Sequence, residues 1–277
     1  MKIDGRAIAQ TIIAELKSKL AEHPIDKFVG ALVAGEDSAS LNFLKQKEKV
    51  AKELGIDFRL YRYGADITTD KLRDEIGRLA RVKNCGGFIV QLPLPESVNR
   101  HYALNAISKE KDIDCLSEAA LGAFYTNRGK ITPPAVGTVE EILRGRYENL
   151  RELTAVVIGT GFLIGKPVGF WLQNRVGELK VLDSSVKNLH AELADADVVI
   201  SGAGRPGLFG AKHLKEGALV IDFGFSKIDG KIFGDFDTES LKAGSYNLEA
   251  ISYTPTPGGT GPILVAKLYQ NFFQLNS

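Results

Sequence analysis

The sequence predicts an α/β protein of two domains, each built on a parallel sheet. Three observations carry that reading. The chain has 277 residues, and domains run about 100–200 residues. Buried-strand runs alternate with helical periods along both halves, which is the pattern of βαβ units. Around residues 118–136 the periodicity fades and Pro133-Pro134 punctuates the chain, marking a boundary between the halves.

Taken in order, Ile8, Ile12, Ile13, Leu16 and Leu20 recur at helical spacing. FVGALVAG (28–35) is an apolar run closed by Gly35, a buried strand. Ser38 can cap a helix that runs to about Leu54 and stops at Gly55. DFRLYRY (57–63) reads as a strand, 69–82 as a helix and GGFIVQL (86–92) as another buried strand. In the second half a helix starts over Val136 to Leu143. TAVVIG (154–159), LKVLD (179–183), DVVISG (197–202) and ALVIDFG (218–224) are strands, with helices over 164–174 and 187–194 between them. A last helix, about 261–274, follows a Pro/Gly loop. This second half is the cleaner doubly wound unit.

Composition excludes several classes. Hydrophobic residues make up 44% and charged residues 25%, ordinary values for a globular chain that buries a core without staples. The formal net charge of +1 gives no electrostatic footprint for nucleic acid. Cys85, Cys115 and four histidines match neither a disulfide framework nor a metal-ligand spacing, so no metal is expected. Asp4 and Arg6 stand where a signal peptide needs an apolar run. No stretch reaches the roughly 18 apolar residues of a membrane span. The expected location is cytoplasmic, with no membrane partner.

The most informative local motif is Gly159-Thr160-Gly161-Phe162-Leu163-Ile164-Gly165, between a predicted strand and a predicted helix. Glycines there let backbone approach a pyrophosphate seated on the helix N-terminus. The spacing is one residue longer than the commoner fingerprint, and a tight βα turn alone would also use these residues. Asp183, about 20 residues on at the end of the next strand, supplies the carboxylate that grips a ribose diol. Both ribose hydroxyls suit that carboxylate and a 2′-phosphate does not, so NAD is favoured over NADP. Lys166 or Lys187 could reverse the preference.

Other polar positions are ambiguous singly. Ser40, Phe43 and Lys47 share one helix face by their spacing, yet Lys47 alone reads as a surface lysine. Gln91 ends an apolar strand before Leu-Pro-Leu-Pro (92–95), where α/β proteins bind ligands, although it could merely cap loop backbone. Lys111-Asp112-Ile113-Asp114 brings two carboxylates to a loop, which could also be a solvated turn. Pro255-Thr256-Pro257-Gly258-Gly259-Thr260-Gly261-Pro262 is a shaped loop, either a ligand wall or a connector.

Together these segments resemble the bifunctional methylenetetrahydrofolate dehydrogenase/methenyltetrahydrofolate cyclohydrolase family. The likeness runs from about Ile3 to Phe273 and rests on VQLPLP (90–95), KDID (111–114), GRPGLF and EGALVIDFGF within 204–225, and ISYTPTPGGTGP (251–262), in the family's order and spacing. The resemblance implies an N-terminal parallel-sheet folate and catalytic domain (1–133 plus 258–277), with the C-terminal helix returning to it. It implies a Rossmann-like dinucleotide-binding domain (134–257), a folate cleft between the two, a homodimer, and tetrahydrofolate derivatives as substrates. The family's Y-x-x-x-K falls on Phe43 to Lys47, making Lys47 the match to its catalytic lysine, with Gln91 as that lysine's partner and Asp114 as the pterin-gripping aspartate. Ser40, Phe43, Val90, Leu92, Pro257, Gly258, Gly259, Thr260 and Gly261 correspond to substrate contacts. Gly159, Thr160, Gly161, Gly165, Asp183, Ser184 and Phe225 correspond to the nucleotide side.

Several departures fall at these positions. Phe43 replaces the family tyrosine and keeps only the ring, which bears on hydration more than on stacking. Thr160 replaces an arginine often used for NADP, and Asp183 replaces a usual histidine. Pro133-Pro134-Ala135-Val136-Gly137 loses polar side chains, Cys115 replaces a glycine and Leu264 a threonine. The expected activity is oxidation of methylenetetrahydrofolate with NAD or NADP, followed by hydrolysis of the methenyl product. The alternatives are a dehydrogenase with impaired hydrolase activity, a binding protein without turnover, and a shikimate-type dehydrogenase sharing only the dinucleotide domain.

Overall fold

A computed structural model describes residues 1–35, 38–241 and 251–277, with backbone alone at Ser38 and Ala39. The chain divides into two compact units. One comprises Gln10–Pro134 with Val265–Ser277, the other Met1–Ala9 with Ala135–Leu264. Helices α1 (Gly5–Glu22) and α9 (Thr260–Asn276) contribute residues to both.

The first unit holds a parallel three-stranded sheet in the order β2 (Phe58–Tyr63), β1 (Phe28–Ala34), β3 (Cys85–Val90). All seven residues of β1 and all six of β3 are buried, whereas edge strand β2 alternates towards solvent. This explains why the apolar runs are continuous in β1 and β3 and interrupted by arginines in FRLYRY. Helix α2 (Ser38–Glu53) connects β1 to β2, and α3 (Thr69–Ala80), capped by the Thr68 side chain, connects β2 to β3. Gly86 and Gly87 open β3 because its start lies against α9. A Cβ on Gly87 would stand 2.8 Å from Ile113 and 3.1 Å from Phe272, and one on Gly86 2.9 Å from Phe272.

The region 118–136, expected to be irregular, contains a two-turn helix, α5 (Glu118–Tyr125). The Ser117 side chain accepts from the Ala120 amide and starts it. Its sequence EAALGAFY is too short and too uniformly apolar to show a 3.6-residue period. The five-residue α4 (Arg100–Leu104), capped by Asn99, is too short to show a period. The expected strand 86–92 ends at Val90, though the Gln91 amide still donates to Leu32 O at 2.8 Å.

The second unit carries a five-stranded parallel sheet. Its order runs from the Ser252–Tyr253 strand through Leu219–Asp222, β6 (Val198–Ser201) and β4 (Thr154–Ile158) to β5 (Glu178–Leu182). Residues 1–3 extend the Ser252–Tyr253 edge: Ile3 N donates to Tyr253 O, and Tyr253 N donates to Met1 O. Helices α6 (Pro134–Leu143), α7 (Gly165–Leu172) and α8 (Leu189–Leu193) accompany this sheet. Val156, Ile158, Val199, Val220, Phe209 and Phe236 form its core on one side. Each such side chain contributes about 1.5–3 kcal/mol on burial. Strand ends β4 and β5 stand in register, Ile158 opposite Leu182, so Gly159 and Asp183 leave neighbouring strands side by side.

Candidate active site

In the first unit the polar positions converge. Lys47, on the buried face of α2, is 7% exposed. Its Nζ donates to Gln91 Oε1 at 3.2 Å and to Asp114 Oδ2 at 3.3 Å. Gln91 stands just beyond β3, and its Nε2 donates to Leu92 O at 2.8 Å. Ser40 Oγ donates to the same carbonyl at 3.2 Å. Phe43 lies half-buried one turn before Lys47, Val90 is buried in β3, and the Leu92–Pro93 peptide is cis. A buried ammonium needs hydrogen-bonded, oppositely charged company, and Gln91 with Asp114 provides both. The solvated-surface reading of Lys47 is thereby excluded.

Tyr269 and Asn271, which carry no sequence signal, hold this cluster together with Asp112 of the KDID segment. Tyr269, fully buried on α9, donates its hydroxyl to the Lys47 carbonyl at 2.6 Å; burial pushes that phenol up. Asn271, also on α9, donates to Ile113 O at 2.9 Å and Thr132 O at 2.8 Å, clamping the segment that carries Asp114. Asp112 is fully buried, and its Oδ2 accepts from the Leu116 and Ser117 amides. Burial pushes its carboxyl up to about 6 against those hydrogen bonds. Asp112 and Asp114 therefore differ in role: one folds the turn, the other faces Lys47. Cys115, buried at φ 57°, holds a left-handed conformation that favours glycine, and burial raises its thiol.

The second unit gathers the nucleotide-type residues at the carboxyl ends of its strands. Gly159 adopts φ +97°. A Cβ on Gly165 would fall 1.8 Å from the Gly159 carbonyl oxygen, so the strand-to-helix turn closes only with glycine there. Around an ideal Cβ on Gly161 nothing lies within 4 Å, leaving bare, exposed backbone before α7, whose N-cap Ile164 offers no side-chain hydrogen bond. The Lys166 amide already donates to Gly161 O at 3.1 Å and Pro167 has no N–H, so it is the bare glycine backbone of the turn that fits a pyrophosphate. Thr160, Asp183 and Ser184 are exposed beside it. Asp183 Oδ1 accepts from the Ser185 hydroxyl at 2.6 Å and its amide at 2.9 Å, which lowers the carboxyl pKa and keeps it an acceptor. Lys166 and Lys187 are exposed. Phe225, 41% exposed, follows the Leu219–Asp222 strand and is separated from the Gly159 turn by β6.

The Pro257–Gly261 loop belongs to the same unit. Thr256–Pro257 is cis, Gly258 has φ +100°, and Gly259 packs so tightly on Gly5 that a Cβ there would meet its carbonyl oxygen at 1.8 Å. Thr260 is buried and donates to Asp222 O at 2.9 Å. Gly261 is half-buried at the start of α9.

Comparison with known proteins agrees with both halves. The family model described as tetrahydrofolate dehydrogenase/cyclohydrolase, catalytic domain, matches residues 3–114, and its NAD(P)-binding domain matches residues 132–277. The chain belongs to the tetrahydrofolate dehydrogenase/cyclohydrolase family. The bifunctional protein FolD of Clostridium tetani is 31% identical over 280 residues, covering 99% of this chain and 98% of that protein. The crystal structure of the bifunctional enzyme FolD from Campylobacter jejuni superposes with a TM-score of 0.90 at 29% identity, covering 100% and 98% of the two chains. The FolD of Trypanosoma brucei, solved with NADP and an inhibitor, gives 0.90 at 29% identity over 99% and 96%. Among the described residues no helix is long and apolar enough to cross a membrane.

Proposed function

We propose that this family member oxidises methylenetetrahydrofolate to methenyltetrahydrofolate with NAD or NADP and hydrolyses the methenyl product to formyltetrahydrofolate. The observation that carries the proposal is the buried Lys47 ammonium held between Gln91 and Asp114, in a chain that also has a dinucleotide-type βα turn. Nicotinamide, when bound, supplies the acceptor for a hydride from the methylene carbon. The Gly159–Gly165 turn would hold the pyrophosphate and Asp183 the ribose. Ser40, Phe43, Val90, Leu92 and the Pro257–Gly261 residues would line the folate, with Asp114 gripping the pterin. Both folate nitrogens share the cation left by hydride loss, so the protein's task in that step is positioning. In hydrolysis a water adds to the methenyl carbon and loses a proton, and the bond from that carbon to one of the two folate nitrogens then breaks as that nitrogen takes up a proton. Lys47 would orient that water and relay the proton, giving one to the released nitrogen as it takes one from the water, and Gln91 would fix the direction of the ammonium.

Phe43 has no hydroxyl to assist this proton transfer, an observation that favours a slower hydrolase than in members with tyrosine. Following reduced nicotinamide and the methenyl chromophore together in one turnover assay checks both steps. Reduced cofactor without methenyl build-up supports both activities. Accumulating methenyl supports a dehydrogenase with impaired hydrolysis, and no turnover with either cofactor refutes the proposal.

For the cofactor, NAD is the preferred reading. Asp183 would accept from the ribose diol and repel a 2′-phosphate, and Thr160 offers no cation. In the Asp183→Ala variant the KM for NAD should rise about tenfold, the value of hydrogen bonds to a charged acceptor, while the KM for NADP changes less. Equal KM changes for the two cofactors would remove the argument. We further propose a cytoplasmic homodimer on family membership alone; a sedimentation mass of one chain would remove the dimer.

A further inference from the structure

Two buried carboxylates in the second unit have no part in the reaction just described. Asp235 is 0% exposed and Asp222 2%. Asp235 Oδ2 accepts from Ser201 Oγ at 2.6 Å, Ala203 N at 2.8 Å and Gly204 N at 3.3 Å, and its Oδ1 accepts from Arg205 N at 2.7 Å. One side chain thus gathers the whole segment that leaves β6. That segment lies against the nucleotide turn: a Cβ on Gly159 would stand 3.0 Å from Gly202 O, and one on Gly202 2.9 Å from Ile164.

Asp222 continues the same network. Its Oδ1 accepts from Gly224 N at 2.7 Å, just before Phe225, and its Oδ2 from Phe236 N at 3.0 Å. Its backbone accepts from Thr260 Oγ1 and donates to Thr254 Oγ1 at 2.8 Å, which ties in both ends of the Pro257–Gly261 loop. The acids interlock through glycines. A Cβ on Gly224 would meet Asp235 Oδ1 at 2.4 Å, and one on Gly234 would meet Asp222 Oδ2 at 2.1 Å. Burial of a charge at this cost is expected only where many donors converge on it. The donors here come from the segments beside the predicted nucleotide and folate contacts.

We infer that Asp235, interlocked with Asp222, is a positioning residue of the nucleotide half-site: its carboxylate sets the 201–205 backbone against the Gly159 turn and so shapes the dinucleotide crevice. The inference rests on the nucleotide reading above. Asp235→Asn keeps the volume but turns an amide N–H towards backbone N–H groups, whichever way the amide is placed. Dissociation constants for NAD and NADP, from titration of the full chain, should rise about tenfold, as expected when a buried donor loses its acceptor. Hydrolysis of preformed methenyltetrahydrofolate, which uses no nucleotide, should fall at least fivefold less than nucleotide affinity. Should that variant fail to fold, Ser201→Ala removes one donor and leaves three. It should weaken nucleotide binding about threefold and leave hydrolysis of the preformed methenyl substrate at the wild-type rate.

Unchanged nucleotide affinity in either folded variant overturns the inference, and so does an equal loss of both properties, which marks a merely structural role. If wild type hydrolyses the methenyl substrate but binds no nucleotide, the nucleotide reading and the inference fall together. If it binds nucleotide without hydrolysing, the assignment of Lys47 fails while the dissociation constants still decide the role of Asp235.

Discussion

Lys47→Ala should cut methenyltetrahydrofolate hydrolysis at least about 100-fold, the lower end of what a positioned proton-transfer group contributes. The effect should be specific. Helix α2 keeps its link to α9, because Tyr269 bonds the Lys47 backbone carbonyl and not its side chain. What is lost is the Lys47 cation that faces Asp114 and Gln91. The Asp114 carboxylate is 21% exposed on its side chain, so water can solvate it once Lys47 is gone, and gross unfolding is not expected. Dehydrogenation should fall less, because hydride transfer depends on alignment of donor and acceptor and not on a proton at this position. Initial rates of hydrolysis on preformed substrate, beside dehydrogenase rates on the same preparation, separate the two. Hydrolysis at the wild-type rate would remove Lys47 from the mechanism. A Gln91→Ala change tests the same geometry more gently, since the ammonium keeps its ion pair and loses only its direction.

The sheets were legible because buried parallel strands write themselves as apolar runs: FVGALVA, CGGFIV, TAVVI and VVIS each became a strand. What stayed hidden was short or long-range. The strand Ser252–Tyr253 has two residues and exists only because Leu219–Asp222 and the N-terminal residues flank it. Helix α5 depends on a cap and its packing more than on a period. In the site, no single residue declared itself. Lys47 sits among Lys45, Lys49 and Lys52 on a polar helix, and only its phase relative to Leu44 and Ala51, both buried, separates it from them. Its partners lie 44 and 67 positions away, a distance no periodicity spans. The ordered motifs made the cluster visible in advance. Asn271 and Tyr269 act through amide and phenol groups on a helix of mixed apolar and polar residues, where a single Asn or Tyr carries no motif. Asp222 lies inside the expected strand 218–224 and Asp235 outside every motif, since a turn acid and a buried acid collecting four donors look alike in sequence.

Two alanine substitutions in the nucleotide turn should behave oppositely, and the contrast tests the turn more sharply than either alone. In Gly165→Ala the new methyl falls 1.8 Å from the Gly159 carbonyl oxygen and 2.7 Å from its carbon. Neither neighbour is a flexible side-chain end, so the βα turn has to open. Overpacking of this kind costs about 1–3 kcal/mol and should lower the thermal midpoint. Displacement of the turn by a fraction of an ångström or more should cost nucleotide-dependent turnover up to about 100-fold. Gly161→Ala meets nothing within 4 Å and should melt with wild type. Any loss of NAD or NADP affinity in that variant then comes from the ligand itself approaching the bare backbone. Wild-type stability and affinity in Gly165→Ala would show that the turn does not need its close approach. Full nucleotide affinity in Gly161→Ala would remove this glycine from the pyrophosphate contacts.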